Sequence, residues 1–303
     1  MKNRLILSLT VLWSFVVSIA YAQEPTVTQG TIVYLDSFPY ELVPHRPLAI
    51  WLPPNYTSAK KYPVIAMFDG QMLFDANTTR NKQEWGVDEV LGQAIIDQKL
   101  PPAIIVGVWN IPDIRYREYY PRKPFDALPK TWADSIINLR MGAAPTSDDF
   151  LKYLVDEVLP FVHAEHSTDP SRVYVMGSSM GGLISMYALC EYPDVFCAAA
   201  CISAHFVGVF EFTPEITVTF ADYMTQNLPD PRTHRTYMDY GDQVLDAQYA
   251  SAQAMIDERM KQQGWRNPKQ WNTELFPGAA HDEKSWNARL MTPLTFLLKP
   301  SKK

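Results

Sequence analysis

The chain has 303 residues, of which 47% are hydrophobic and 13% aromatic, and its formal net charge is −6. This length and composition are enough to bury a large core. Because no segment is rich in Lys or Arg, the chain lacks the positive surface that nucleic acid demands, so we expect a small or neutral partner instead.

The first 22 residues have the pattern of an export signal. Two basic residues precede an apolar stretch from Leu5 to Ala20, and Ala20-Tyr21-Ala22 forms an A-x-A cleavage pattern. An uncleaved membrane anchor is the alternative, but the apolar run is slightly short for a membrane span and no second one follows. We therefore predict a signal peptide over 1–22, cleavage after Ala22, and a periplasmic or secreted protein without stable membrane insertion.

Strand-like and helix-like segments alternate along residues 23–303, without a linker or repeat. The predicted strands include 26–38, 46–56, 63–68, 103–108, 195–202, 235–240 and 271–276, and the predicted helices include 87–98, 148–162, 246–263 and 284–298. This alternation predicts one α/β domain with a mostly parallel central sheet covered by helices on both faces.

Two segments interrupt the regular pattern. Residues 111–147 are rich in Arg, Pro, Tyr and Trp, and residues 204–233 carry four phenylalanines and several prolines. Both are predicted to be long and irregular, and long connections in a compact domain are usually functional or disordered. Because loops at the carboxyl ends of strands shape the ligand crevice of such sheets, these segments are the predicted substrate wall.

A nucleophile elbow is predicted around Ser179. An apolar, β-branched run from Val173 ends in Gly177-Ser178-Ser179-Met180-Gly181, and an apolar helix-like segment follows at once. In this pattern a strand turns sharply into a helix and holds the serine exposed, and the glycines leave room for the turn. Ser179 is therefore the candidate nucleophile.

A serine nucleophile needs a base and an acid that orients it. In α/β hydrolases the acid and the base follow the serine in that order, which leaves His205, His234 and His281 as possible bases. His281 lies in a loop between the last strand and the last helix, where the base of this fold belongs. His205 either lines the pocket or packs as a structural residue.

Three aspartates lie near the end of the strand 235–240. Asp239 lies within the strand and is the weakest candidate for the acid, because the pleat sets its direction. Asp242 and Asp246 both lie in the following turn, and spacing alone does not separate them.

An oxyanion hole needs two backbone N–H groups. Met180 supplies one at the start of a helix. Gln71 is the candidate for the other, since Phe68-Asp69-Gly70-Gln71 follows an apolar strand and Gly70 permits close backbone approach.

No metal or cofactor is expected. His163 and His166 lie at a helix end without the Glu of a zinc-protease helix, and we interpret them as solvated. The cysteines, Cys190, Cys197 and Cys201, allow one disulfide with one free thiol, or three thiols in the core.

Several motifs together resemble the putative-esterase family of α/β hydrolases, which includes enterochelin-esterase-type enzymes, feruloyl and acetyl-xylan esterases and S-formylglutathione hydrolases. They span nearly the whole mature chain: residues 68–75, 115–121, 177–182, 201–205, 241–246 and 278–286. The resemblance implies an α/β-hydrolase fold without a separate cap domain. It also implies a serine esterase with Ser179 as nucleophile, His281 as base and Asp246, rather than Asp242, as acid.

Export, aromatic loops and this resemblance favour an acyl or feruloyl ester of a carbohydrate as the substrate. The substrate-binding candidates are Asp69, Arg115, His205, Phe206 and Trp286. Arg115 belongs to a basic cluster with Arg117, Arg122 and Lys123 that could meet an anionic substrate. A siderophore lactone is the second substrate class, and a non-catalytic carbohydrate-binding protein is the alternative from another functional class.

Overall fold

Eight strands form one sheet in the computed structural model, which describes residues 23–208, 211–266, 268 and 270–298. They are β1 Thr31–Phe38, β2 Arg46–Leu52, β3 Tyr62–Phe68, β4 Ile104–Val108, β5 Thr168–Ser178, β6 Ala198–Ile202, β7 Arg235–Tyr240 and β8 Trp271–Leu275. Their order is β1-β2-β4-β3-β5-β6-β7-β8. Strand β2 is antiparallel to both neighbours, and all other pairs are parallel.

Both faces of the sheet are buried, which explains why its central strands are apolar without interruption. Along β3, Val64 and Ala66 belong to one hydrophobic cluster, whereas Ile65 and Met67 belong to the cluster on the opposite face. The predicted fold class, a mostly parallel sheet covered on both faces, is therefore confirmed.

Eleven helices are present in the described residues and cover the sheet. They are α1 Val87–Ile96, α2 Arg115–Tyr119, α3 Arg122–Asp126, α4 Lys130–Ile136, α5 Ser147–Lys152, α6 Leu159–Glu165, α7 Met180–Glu191, α8 Pro214–Asn227, α9 Tyr249–Gln262, α10 Glu283–Arg289 and α11 Met291–Leu298. The π-helical turns Ile137–Met141 and Tyr153–Val158 continue α4 and α5, and short 3₁₀ turns occupy Gly70–Met72 and Asp246–Gln248. The single helix predicted over 284–298 is in fact two helices.

The prediction that 111–147 and 204–233 are irregular was wrong. The first segment contains α2, α3 and α4, which are too short for an apolar periodicity to develop, and a proline directly precedes α3 and α4. The second contains α8, whose Thr and β-branched residues have low helix propensity. Apolar side chains of both segments join the main hydrophobic cluster, so tertiary packing stabilises these helices, and their described residues form no separate core of their own.

The signal peptide predicted over 1–22 lies outside the described residues. Within the ranges that are described, no helix has the length and hydrophobicity to cross a membrane.

A buried ion pair connects β2 to α2. The guanidinium of Arg46 donates from Nη1 and Nη2 to the two carboxylate oxygens of Glu118, at 2.9 and 2.6 Å, and neither side chain is exposed. The rings of Phe150 and Tyr153 pack on this guanidinium, at 5.0 and 5.3 Å from its central carbon. The pair therefore fixes α2, which begins at Arg115, relative to the sheet.

Replacing Glu118 by Ala would leave the Arg46 charge buried without a partner. We expect Glu118→Ala to lower the free energy of unfolding by about 3–5 kcal/mol, measured by urea denaturation. The matched control is Asp126→Ala, which breaks an exposed pair with Arg122 and should change stability little. Equal effects of the two substitutions would contradict this account.

Two aspartates that flank the segment 76–87, Asp75 and Asp88, are hydrogen-bonded to Thr26 and Thr28. Thr26 donates from its backbone N–H and its hydroxyl to Asp75 Oδ2, at 3.0 and 2.6 Å. Thr28 likewise donates to Asp88 Oδ2, from its backbone N–H at 2.7 Å and from its hydroxyl at 3.1 Å. Between these ties lies Glu84, where burial, together with the nearby charges of Glu89, Asp88 and Asp75, raises the pKa to about 7.

A carboxyl with a raised folded-state pKa makes the protein less stable as the pH rises. Its contribution is complete below the ordinary value of 4.5 and is lost as the pH rises through about 7. We expect Glu84→Gln to lose less Tm than the wild type between about pH 5 and about pH 8. The control Asp97→Asn removes an exposed carboxyl whose pKa a hydrogen bond from Lys99 lowers, so it should keep the wild-type slope in this window. Parallel curves for Glu84→Gln and wild type would refute the assignment.

Candidate active site

The turn between β5 and α7 holds Ser179 in a strained conformation. Its φ is 56° and its ψ is −121°, a region that residues with a side chain seldom adopt. An added Cβ at Gly177 would lie 2.7 Å from the carbonyl carbon of Gly181, so the turn requires glycine there. The backbone of Ser179 is fixed on both sides, since its N–H donates to Ile202 at 2.9 Å and its carbonyl accepts from His205 at 3.1 Å.

His281 lies beside Asp246, with its Nδ1 2.6 Å from Asp246 Oδ1. The loop that carries His281 follows β8, and the imidazole is held between two aromatic side chains in edge-to-face contacts. The ring centroids of Trp286 and Tyr249 lie 5.1 and 5.6 Å from that of His281. Position and orientation of the imidazole are thus set by one polar and two apolar contacts.

Asp246 is almost fully buried, and its carboxylate accepts three hydrogen bonds. Besides His281, the hydroxyl of Ser203 donates to Oδ2 at 2.6 Å, and the backbone N–H of Gly241 donates to Oδ2 at 2.7 Å. Burial acts to raise the pKa of Asp246, but the hydrogen bonds from His281, Ser203 and Gly241 outweigh it and hold the pKa below its ordinary value. The group is therefore a charged carboxylate at neutral pH.

The other two aspartates near β7 have different partners. Asp242 is exposed, and its Oδ1 accepts from the backbone N–H of Gly278 at 2.7 Å, so it connects the two loops without touching His281. Asp239 is buried, and its Oδ1 accepts from Arg289 Nη2 at 3.0 Å. Of the three, Asp246 is the one whose side chain contacts His281.

The loop after β3 is folded against the elbow. Asp69 has the left-handed φ of 58° and precedes the 3₁₀ turn Gly70–Met72. A Cβ at Gly70 would lie 2.5 Å from the carbonyl carbon of Gly107, so the loop needs glycine to approach β4 this closely. Gln71 is in the first residues of this turn and Met180 is the first residue of α7, positions where backbone amides have no partner within the helix.

A two-pronged ion pair holds Asp69 in its left-handed conformation. Arg115 donates from Nε to Asp69 Oδ1 at 2.7 Å and from Nη2 to Oδ2 at 2.6 Å. Asn110 Nδ2 also donates to Oδ1, at 2.5 Å, and Tyr119 accepts from the backbone N–H of Asp69 at 3.2 Å. The charge of Arg115 is therefore largely balanced within the protein.

Ser179 and His281 line one pocket of about 440 Å³. Most residues that line the pocket have polar side chains, and four of these are carboxamides: Gln71, Asn81, Gln83 and Asn110. Trp85, Glu283 and Asp282 also line it. The pocket thus offers hydrogen-bond donors and acceptors, and an aromatic surface, beside the serine.

The structure separates the predicted substrate-binding residues into two groups. Asp69, Arg115 and Trp286 line the pocket, although Trp286 is only 6% exposed. His205 and Phe206 are buried and line a small apolar cavity instead. The hydroxyl of Tyr249 lies 2.9 Å from His205 Nδ1, and that of Tyr116 lies 3.2 Å from Nε2. Of its two predicted roles, His205 therefore has that of a packed structural residue.

The predicted substrate wall and the basic cluster also need correction. The segment 111–147 contributes Arg115 to the lining, and the described residues of 204–233 contribute none. Asn81, Gln83 and Trp85 line the pocket in their place, and no sequence motif marks them. The predicted basic cluster does not line the pocket as a group. Arg122 pairs with Asp126 and Lys123 pairs with Glu191 instead.

Tyr249 was not predicted as a site residue. Its hydroxyl contacts the side chain of Ser179 as well as His205. Burial raises the pKa of Tyr249 well above its ordinary value, so the group is a neutral phenol. No sequence motif marks it; it is the first residue of α9, three positions after Asp246.

Among the described residues, no group of His, Cys, Asp and Glu side chains is arranged to hold a metal ion. His163 and His166 are half-buried rather than solvated, and His163 Nδ1 lies 2.7 Å from the hydroxyl of Thr168. The cysteines are free thiols, and burial raises the pKa of Cys190 and Cys201.

Comparison with curated proteins finds a relative that matches 84% of the chain. The uncharacterized protein YbbA of Bacillus subtilis strain 168 is 23% identical over 263 residues, which are 84% of this chain and 92% of that protein. Feruloyl esterase B of Neurospora crassa is 46% identical over 55 residues, 17% of this chain and 19% of its own.

Solved structures of esterases share the fold. A ferulic acid esterase superposes with a TM-score of 0.63 at 19% identity, covering 89% of this chain and 98% of its own. The enterochelin esterase of Shigella flexneri has a TM-score of 0.61 at 19% identity, covering 91% of this chain and 59% of its own. Residues 42–297 match the family model described as Putative esterase. Because this match spans well over half of the chain, the protein belongs to the Putative esterase family and has the α/β-hydrolase fold.

Proposed function

We propose that the protein is an exported serine esterase that hydrolyses acyl or feruloyl esters of carbohydrates, with Ser179, His281 and Asp246 as its catalytic triad. The observation that carries this proposal is the placement of Ser179, on a strained elbow, in the same pocket as His281, whose Nδ1 lies 2.6 Å from Asp246. Membership of an esterase family supports ester hydrolysis as the reaction class. Export rests on the signal-peptide pattern of residues 1–22.

The contacts of His281 define its chemical role in this proposal. Because Asp246 is a carboxylate, it accepts a hydrogen bond from Nδ1–H, and this tautomer leaves Nε2 free to accept a proton. The hydroxyl of Ser179 then attacks the ester carbonyl and transfers its proton to Nε2. The resulting imidazolium is stabilised by Asp246 and gives the proton to the departing alcohol.

The oxyanion of the tetrahedral intermediate is held by the backbone amides of Gln71 and Met180. The Asp69–Arg115 pair fixes the loop that carries Gln71, so its amide is oriented before substrate arrives. In the second half of the reaction, water gives a proton to His281 and attacks the acyl-enzyme. The bond between the acyl group and Ser179 then breaks, His281 returns the proton to the serine oxygen, and the acid is released.

The lining of the pocket supports a neutral, hydroxyl-rich substrate. Carboxamides can both donate to and accept from sugar hydroxyls, and four of them surround the serine. The acidic side chains Asp282 and Glu283 are also present, whereas the charge of Arg115 is balanced by Asp69. An anionic ligand would therefore find little free positive charge here.

Substitution of the serine tests the reaction class. We expect Ser179→Ala to lower turnover of an aryl ester by roughly 10⁴-fold or more and to abolish labelling by a fluorophosphonate probe. The control Ser171→Ala, at an exposed serine bonded to Asp169, should keep both. Retained turnover in Ser179→Ala would exclude a serine mechanism, and no turnover or labelling by the wild type would support a non-catalytic binding protein. Comparing aryl acetate, feruloyl-sugar and siderophore-lactone substrates then identifies the ester.

Paired substitutions test which aspartate is the acid. Asp246→Asn forces His281 into the other tautomer, so kcat should fall by roughly 10³- to 10⁴-fold. Asp242→Asn keeps an oxygen that can accept from Gly278, and its kcat should stay within a few-fold of the wild type. The reverse ranking of the two variants would reassign the acid.

A further inference from the structure

Ser203 connects the Asp246–His281 pair to the interior of the protein. It follows β6, is completely buried, and donates its hydroxyl proton to Asp246 Oδ2 at 2.6 Å. Its oxygen accepts from Arg289 Nη2 at 2.7 Å and from Trp286 Nε1 at 3.2 Å. The same Trp286 packs against the ring of His281.

These contacts fix the direction of the serine proton. A hydroxyl has one donor and two acceptor positions, and in Ser203 all three are used. The guanidinium of Arg289 and the indole of Trp286 can only donate. The proton of Ser203 must therefore point at Asp246, which is the acceptor among the three partners.

The backbone at Ser203 adds a second, independent sign of constraint. Its φ is 41°, which costs free energy for any residue except glycine. Its N–H donates to the backbone carbonyl of Asp239 at 2.9 Å. A strained, buried residue persists only where its surroundings fix it, and here the strain aims the hydroxyl at Asp246.

Behind Ser203 lies a buried ion pair that holds Arg289. The guanidinium donates from Nη2 to Asp239 Oδ1 at 3.0 Å, and the hydroxyl of Tyr237 donates to Asp239 Oδ2 at 3.0 Å. Arg289 Nη2 also lies 3.9 Å from Asp246 Oδ2. Burial raises the pKa of Asp239 to about 6, although Arg289 acts in the opposite direction.

We propose that Ser203, held by Arg289, is a positioning residue that fixes the carboxylate of Asp246 toward His281 and thereby sets the rate of the acyl-transfer steps. This inference rests on the proposed triad. Ser203 is not among the residues that line the pocket, and its hydroxyl proton is directed at Asp246, so its proposed action is on that carboxylate.

Two variants separate the hydroxyl from the backbone. Ser203→Ala removes the hydroxyl and keeps the strain, whereas Ser203→Gly removes both, since glycine adopts a φ of 41° freely. We expect both to lower kcat roughly ten- to a hundredfold, as for a lost hydrogen bond to a charged group, with KM within about twofold. The far-downfield ¹H NMR resonance of the His281 Nδ1 proton, assigned by its absence in His281→Gln, should shift upfield or vanish. The control Thr217→Val removes another buried hydroxyl, bonded at 2.6 Å to the Phe206 carbonyl, and should keep both kcat and resonance.

Retention of wild-type kcat or of the wild-type resonance by Ser203→Gly overturns the proposal. A loss confined to Ser203→Ala also overturns it, because Ser203→Gly lacks the same hydroxyl and would then keep the full rate. If Ser203→Ala does not fold, Ser203→Gly decides the question. Should the wild type hydrolyse no ester, the triad proposal fails, while the resonance still reports whether Ser203 orders the Asp246–His281 pair.

Discussion

The buried negative charge of Asp246 is the constraint on which the candidate site depends. Its side chain is removed from water, so its charge is tolerated only if protein groups replace the lost hydration. The groups that do so, His281, Ser203 and the amide of Gly241, come from loops after three different strands. The hydrogen bonds that stabilise this one carboxylate therefore bring three segments of the chain together. The same contacts that replace its hydration also assemble the candidate site.

The parallel sheet explains why these segments can meet. The carboxyl ends of β3, β5, β6, β7 and β8 lie at one edge, and each is followed by a residue of the site. Three of those residues, Asp69, Ser179 and Ser203, have positive φ values of 58°, 56° and 41°. At these positions the backbone turns sharply where each strand ends, and the positive φ values allow this turn while the side chains stay near the candidate site. The resulting strain, about 1–3 kcal/mol for each residue, is offset by the two hydrophobic clusters on either side of the sheet.

Sequence reasoning was most accurate where a single local pattern dominates. Buried strands such as β3 and β4 are continuous apolar runs, and the elbow at Ser179 is a short motif with strict steric requirements. The helices of 111–147 were missed because prolines break them into turns too short for a periodic pattern. The choice between Asp242 and Asp246 could not be made from spacing, because it depends on which of the two carboxylates turns toward a loop 35 residues farther on.

Which side chains line the pocket was also not predictable from the sequence. His205 and Phe206 follow directly after β6, at the edge where site residues gather, yet their side chains point into the core. The carboxamides of 81–85, which do line the pocket, lie in a loop without periodicity or motif. Side-chain direction in such segments is set by tertiary contacts, and sequence position alone carries little information about it.

The way in which this wall is anchored has an evolutionary consequence. Its ends are secured by Asp75 and Asp88 to Thr26 and Thr28, outside the sheet and away from Asp246 and its partners. Residues between these ties, apart from Trp85, whose ring packs on Trp286, can therefore change in size and polarity without disturbing the proposed triad. Substrate preference and reaction chemistry are mutationally separable in such an architecture, so one set of catalytic groups can serve many different esters.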